Sequence, residues 1–261
     1  MSKAESRKTK GKQKAAAQGV ASHLLALRSM LLRMALMLFA AFLLVFYVFL
    51  RPLVDFILQP VVARGIQVIA TRVSESLMMQ LKTSLVAGLV ISMPLLNWEV
   101  WRFVGPALYP KERRAYWTLL IITVLLFFTG VVFSYLTVFP LAVNLFYEAA
   151  EGIATSMWSV EGYFNFILSF VLPFGLMFEL PVVIYLLARS GKVTARGMNR
   201  ARRYFMLGAA VTAAILTPPD VVSQVLLLIP ILLLYEISAL IARFIKPKDG
   251  EDAEEDESAT A

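Results

Sequence analysis

The sequence predicts an all-α polytopic membrane protein with six transmembrane helices and both termini in the cytoplasm. Three observations predict it. Hydrophobic residues make up 59% of the 261 and charged residues only 16%, where a soluble chain carries roughly 45–50% apolar and ~25% charged residues. The apolar residues gather in runs near the ~20 residues that a helix needs to cross ~30 Å of hydrocarbon. Lysine and arginine fall almost wholly in alternate loops: 21 of the 25 lie in residues 1–33, 102–114, 189–203 and 243–248, and the intervening loops keep Arg51, Arg64, Arg72 and Lys82. By the positive-inside rule the first set is cytoplasmic.

In order, the predicted spans are Met30–Leu50, Leu81–Val104, Tyr116–Val138, Tyr163–Ala188, Tyr204–Leu216 and Val221–Ile241. The first is too long for a signal-peptide core and ends at Arg51-Pro52 without a small-residue cleavage site, so it should remain as a span. The fourth contains Pro173 and Pro181, which remove two backbone donors and bend a helix. The fifth has only about 13 apolar residues before Thr217-Pro218-Pro219, or ~20 Å, so the bilayer must thin or neighbours must cover its ends. Residues 51–80 mix apolar and charged side chains as a short amphipathic helix on the outer face does. Residues 1–22 form a basic tail, 23–244 the membrane domain and 245–261 an acidic tail, both tails reading as disordered. Attraction of the basic tail to anionic lipid is the other reading.

Enzyme chemistry finds no place. There is no cysteine and one histidine, His23, so the usual zinc sets, thiolate nucleophiles and disulfides are excluded. No phosphate loop or Gly-x-Ser-x-Gly elbow is present, and no cofactor or metal is implied. What remains is charge where charge is expensive. Glu179 lies deepest, between the two prolines, as either a hydrated polar recess or a protonated acid bonded to a neighbouring helix. Glu112, between Lys111 and Arg113-Arg114, is either a solvated acid paired locally or a binding group. Asp220 suits a helix N-cap, and Gln224 and Glu236 are polar marks able to bond a partner helix.

Several segments, in this order, resemble the TatC family, the receptor subunits of twin-arginine protein translocases. They are His23-Leu24-Leu25-Ala26-Leu27-Arg28, Met93-Pro94, the run from Val100-Trp101-Arg102-Phe103 to Lys111-Glu112-Arg113-Arg114, Phe139-Pro140-Leu141, the run from Phe174-Gly175 to Glu179-Leu180-Pro181, and that from Leu216-Thr217 to Ser223-Gln224. The resemblance covers about His23 to Phe244. It implies a cup-like arrangement of the six helices in the cytoplasmic (inner) membrane and recognition of Arg-Arg signal peptides on folded cargo. It also implies assembly with small single-span partners of the TatA and TatB type, several copies of the chain per complex, and transport driven by the proton-motive force. Nucleic acid has no role in it.

By the same resemblance Glu112 contacts the signal's arginines, with Arg28, Phe103 and Arg102 beside it. Glu179 faces the concave side, and Asp220 and Gln224 serve partner docking. One departure stands out. The family usually has glutamate two residues before the arginine of its first motif, where this chain has Ala26. Glu112 then carries arginine recognition unless Glu99 or another acid substitutes. The alternatives are a TatC-like paralogue with altered signal recognition and a proton-coupled small-molecule transporter using Glu179, against which the lack of an internal repeat counts.

Overall fold

The computed structural model describes residues 25–108, 113–151, 157–217 and 220–245. His23, Glu112, Pro218, Pro219, the basic tail and residues 246–261 lie outside the described residues. Nine α-helices lie among the described residues. They are α1 (25–44), α2 (Leu50–Val62), α3 (Glu75–Leu108), α4 (Arg113–Phe133), α5 (Phe139–Ala150), α6 (Val160–Met177), α7 (Leu180–Arg189), α8 (Ala195–Leu216) and α9 (Val221–Phe244). Single π-helical turns at Val45–Phe49 and Ser134–Val138 join α1 to α2 and α4 to α5.

Merged in this way, five spans are long and apolar enough to cross a bilayer: Leu25–Val62, Glu75–Phe103, Tyr116–Ala150, Val160–Arg189 and Val221–Phe244. The sixth is α8. Its helix has 22 residues, but Arg196, Arg200, Arg202 and Arg203 occupy its first half, which leaves the short apolar stretch that the sequence predicts.

Two boundaries differ from the sequence expectation. The helix of the outer segment, α2, is amphipathic but continuous with the first span through a π turn, and it ends at Val62. The third span likewise runs on through its π turn to Ala150. A π turn inserts an extra residue without breaking the backbone ladder, so hydropathy alone places no boundary there. Between them, β1 (Gln67–Ile69) and β2 (Met157–Ser159) form a two-stranded parallel sheet, Val68 opposite Trp158, too short for a period-2 pattern to register.

Cross-contacts fix the order of ends. Arg33 near the start of the first span meets Glu99 near the end of α3. Trp101 Nε1 donates to Thr123 Oγ1 of α4 at 3.2 Å. Tyr235 of α9 donates to the Met198 carbonyl of α8 at 2.7 Å, and Arg202 pairs with Glu236 at 2.7 Å. These contacts mark one end, the basic end. At the other, Lys82 of α3 binds Glu161 and Asn165 of α6 at 2.9 and 3.0 Å.

Packing is carried by phenylalanine and glycine. Phe127, Phe139, Phe164, Phe170 and Phe174 are fully buried, and large aliphatic residues cover the outside. In hydrocarbon, burial of apolar area gives little drive and helices associate through close packing at small residues. A Cβ on Gly130 of α4 would lie 2.5 Å from the Phe174 carbonyl oxygen of α6, and one on Gly175 would lie 2.7 Å from the Phe127 ring. The two glycines let α4 and α6 approach, and the rings fill the space beside them.

Candidate functional site

The residues singled out from the sequence fall in three places. At the basic end, the last turns of α3 present Glu99, Arg102 and Phe103. Residues three and four apart share a helix face, so all three project toward one side. Glu99 is 4% exposed, and its burial is possible because Arg33 reaches across from α1. Arg33 Nε and Nη2 both donate to Glu99 Oε2, at 3.0 and 2.8 Å. Arg102 Nη1 stands 3.9 Å from the other oxygen, Oε1. Both oxygens of the buried acid are thus faced by guanidinium groups, and the cluster carries one net positive charge. Half-buried Phe103 borders it, while Arg28 is exposed one and a half turns before Arg33.

Glu99 therefore does not stand free to replace the missing acid at Ala26. The sequence marks Glu99 as a possible substitute; its pairing with Arg33 is what sequence reasoning missed. The signal was present: two opposite charges at matching depth in the first two spans, both at the end that the loop charges assign to one face.

The second place is mid-membrane. The fourth span breaks between α6 and α7, where Glu179 precedes Leu180-Pro181 at the start of α7. Pro181 has no amide hydrogen, and at the first turn of a helix none is needed. Glu179 follows Phe178, whose side chain packs at Gly130 of α4. Its Oε1 is buried and has no hydrogen-bond partner among the described residues. A buried acceptor left unused ordinarily signals a polar ligand or a proton.

The third place is the turn between α8 and α9, at the end opposite the basic one. Asp220 caps α9, its Oδ1 accepting from the Ser223 amide at 2.6 Å. Gln224 Nε2 donates to the Ala210 carbonyl of α8 at 3.1 Å. Asp220 thus has the structural role that its position suggested, and Gln224 ties the two short spans together. Glu236, the other polar mark of the last span, is taken up by Arg202. The structure does not bring these residues to Glu179 or to the Glu99 cluster.

Comparison with known proteins gives one consistent answer. Residues 22–230 match the family model described as Sec-independent protein translocase protein (TatC). Proteins of that name are similar along most of the chain. The one from Carboxydothermus hydrogenoformans is 39% identical over 196 residues, 75% of this chain and 81% of its own. That from Haemophilus influenzae is 36% identical over 239 residues, covering 90% and 93%, and that from Escherichia coli (strain K12) is 36% identical, covering 91% and 93%. Two crystal structures of a twin-arginine translocase receptor, TatC, superimpose with TM-scores of 0.79. One is 36% identical and covers 84% of this chain and 97% of that one; the other, in DDM, is 35% identical and covers 85% and 100%.

Proposed function

The chain belongs to the TatC family of Sec-independent protein translocase proteins, and from that membership we propose that it is the signal-peptide receptor of a twin-arginine translocase. It is a multi-pass membrane protein of protein transport, in a family not known for enzymes. In the proposed reading both termini face the cytoplasm, so the basic end receives cargo. The acid of the 102–114 segment, Glu112, accepts hydrogen bonds from the paired arginines of the signal. Guanidinium and carboxylate meet through two parallel N–H···O bonds, a geometry that lysine does not reproduce. Phe103 supplies an apolar contact, and Arg28 and Arg102 repel cations that lack a carboxylate partner.

The observation that supports this reading most directly is the state of Glu99. Its two guanidinium neighbours engage it, and the reading gives the selection of arginine to Glu112. The remaining parts of the proposal follow the family. Glu179 lines the recess, Asp220 and Gln224 position α9 for a single-span partner of the TatA or TatB type, and the proton-motive force drives translocation by several copies acting together.

A photoreactive residue at position 103, with Glu112 intact, in membranes holding the full chain, tests the receptor role. A twin-arginine signal peptide should crosslink there, and the crosslink should vanish when its arginines become lysines. A crosslink indifferent to that exchange would defeat the proposal.

A further inference from the structure

The α7–α8 turn at the basic end has no part in the receptor reading, yet it holds a dense group of cations. Arg189, Lys192, Arg196, Arg200, Arg202 and Arg203 fall within residues 189–203, and that stretch contains no acid. Arg202 has its own partner, Glu236 of α9. Arg196, Arg200 and Arg203 follow one another at four and three residues, so they form one stripe along α8.

Beside that stripe lies a pocket of about 430 Å³ between α7, α8 and α9. Its floor is apolar and fixed: Phe205 stacks on Tyr235 at 4.0 Å, and Tyr235 donates to the Met198 carbonyl at 2.7 Å. Its rim is formed by Lys192, Thr194 and Tyr204, and no carboxylate is among the described residues that line it. Each rim group has a donor to offer. Lys192 has no ion-pair partner among the described residues. Thr194 Oγ1 accepts from the Gly197 amide at 3.1 Å, which leaves its O–H to donate. The Tyr204 oxygen accepts from Arg203 Nη2 at 2.9 Å, which leaves its O–H as well. The Arg203 guanidinium lies 4.8 Å from the Tyr204 ring centre, so this contact draws the arginine stripe to the edge of the pocket.

An ammonium, a guanidinium and two hydroxyls offer donors to one place, the chemistry that receives a phosphate. Position selects the source of that phosphate. From Thr194 to Phe205 the pocket follows about eleven residues of α8, or ~16 Å. Over that length cations give way to apolar side chains, as water gives way to hydrocarbon. Tyr204 and Tyr235 stand at the change, where aromatic residues anchor a membrane protein. A free phosphate uses only the rim. A phospholipid uses both parts, with its phosphodiester at the rim and its glycerol and first acyl carbons over Ile184, Val193 and Phe205. We propose that this pocket holds the headgroup of an anionic phospholipid from the leaflet at the basic end. A zwitterionic lipid brings the same phosphate with an ammonium attached, which the arginine stripe repels.

The test uses full-length protein in nanodiscs of phosphatidylcholine holding a trace of phosphatidylglycerol with a diazirine near the start of one acyl chain. Adducts should concentrate on Ile184, Val193, Met198 and Phe205 rather than on exposed Leu36 and Leu125. A phosphatidylcholine probe with the same diazirine should show no such concentration. Lys192→Gln and Arg203→Gln should each lower the phosphatidylglycerol adducts about fivefold, the value of one cation near an anionic surface. Arg203→Lys, which keeps the charge, should retain most of them, and Arg51→Gln at the opposite end should change nothing. Millimolar inorganic phosphate, at matched ionic strength, should leave the labelling as it is, because the acyl chains hold the headgroup in place. Equal labelling by the two probes, or concentrated adducts that neither glutamine substitution lowers, would overturn the proposal. Suppression by inorganic phosphate would put a soluble anion in the pocket and overturn it too.

Discussion

The two ends of this membrane domain are built differently. At the Lys82 end, several charges are engaged: Lys82 with Glu161 and Asn165, Arg64 with Asn144 at 2.8 Å, and Glu75 with the Thr71 hydroxyl at 2.7 Å. A two-stranded sheet and the Asp220 cap close the same end. The basic end holds arginine in excess of acid, and its best-buried carboxylate already faces two guanidinium groups. One end is closed by its own contacts. The other carries a surplus of positive charge beside its interhelical pairs.

The comparison breaks most completely where both ends depend on shared packing. Gly130→Val places methyl groups against the Phe174 carbonyl and the Phe178 ring, whose atoms would lie within 2.9 Å of the added Cβ. Overpacking of this kind destabilises by about 3 kcal/mol. Thermal unfolding in detergent should show a strongly lowered midpoint, and signal-peptide binding should fall with it.

The next effects sharpen the contrast. Ala26 is exposed on α1, and Ala26→Glu returns the acid that the family usually has there. One added charge-assisted pair should tighten binding of a twin-arginine peptide about tenfold, read by titration into nanodisc-held protein. Arg33→Ala should give a smaller gain, about threefold, by leaving Glu99 only its distant Arg102 neighbour and making it an acceptor for the signal. Adding Glu99→Gln should erase that gain. If Arg33→Ala weakens binding instead, the pair is part of the receptor surface. At the opposite end, Lys82→Met should leave peptide binding within about twofold, since it lies a full membrane span away, beyond the Debye length of roughly 8 Å. It should lower only the melting midpoint, and slightly, as exposed ion pairs do.

The sequence carried five of the spans because each has a long apolar run, and α8 was legible as a shorter run bounded by loop arginines. Its boundaries failed at the π turns, where Val45–Phe49 and Ser134–Val138 are as apolar as the helices beside them. The strand pair at Val68 and Trp158 was hidden for a related reason: three residues a side leave no periodicity. Asp220 as a cap was legible, since an acid after a proline pair and before an apolar run has a local role. The Arg33–Glu99 pair joins residues 66 apart, and no local pattern relates them. Glu99 could be read as a spare acid from the sequence, and only its partner shows that it is engaged.

The central claim is that arginine recognition rests on Glu112 because Glu99 is already occupied. The most direct measurement is the affinity of a twin-arginine peptide and its twin-lysine counterpart for the unaltered chain and for Glu112→Ala. The account predicts a loss of about 100-fold for the arginine peptide, the order expected when charged hydrogen bonds to two guanidinium groups are removed, and equal affinity of the variant for both peptides. A Glu112→Ala protein that still prefers arginine to lysine would contradict it and place the discriminating acid elsewhere.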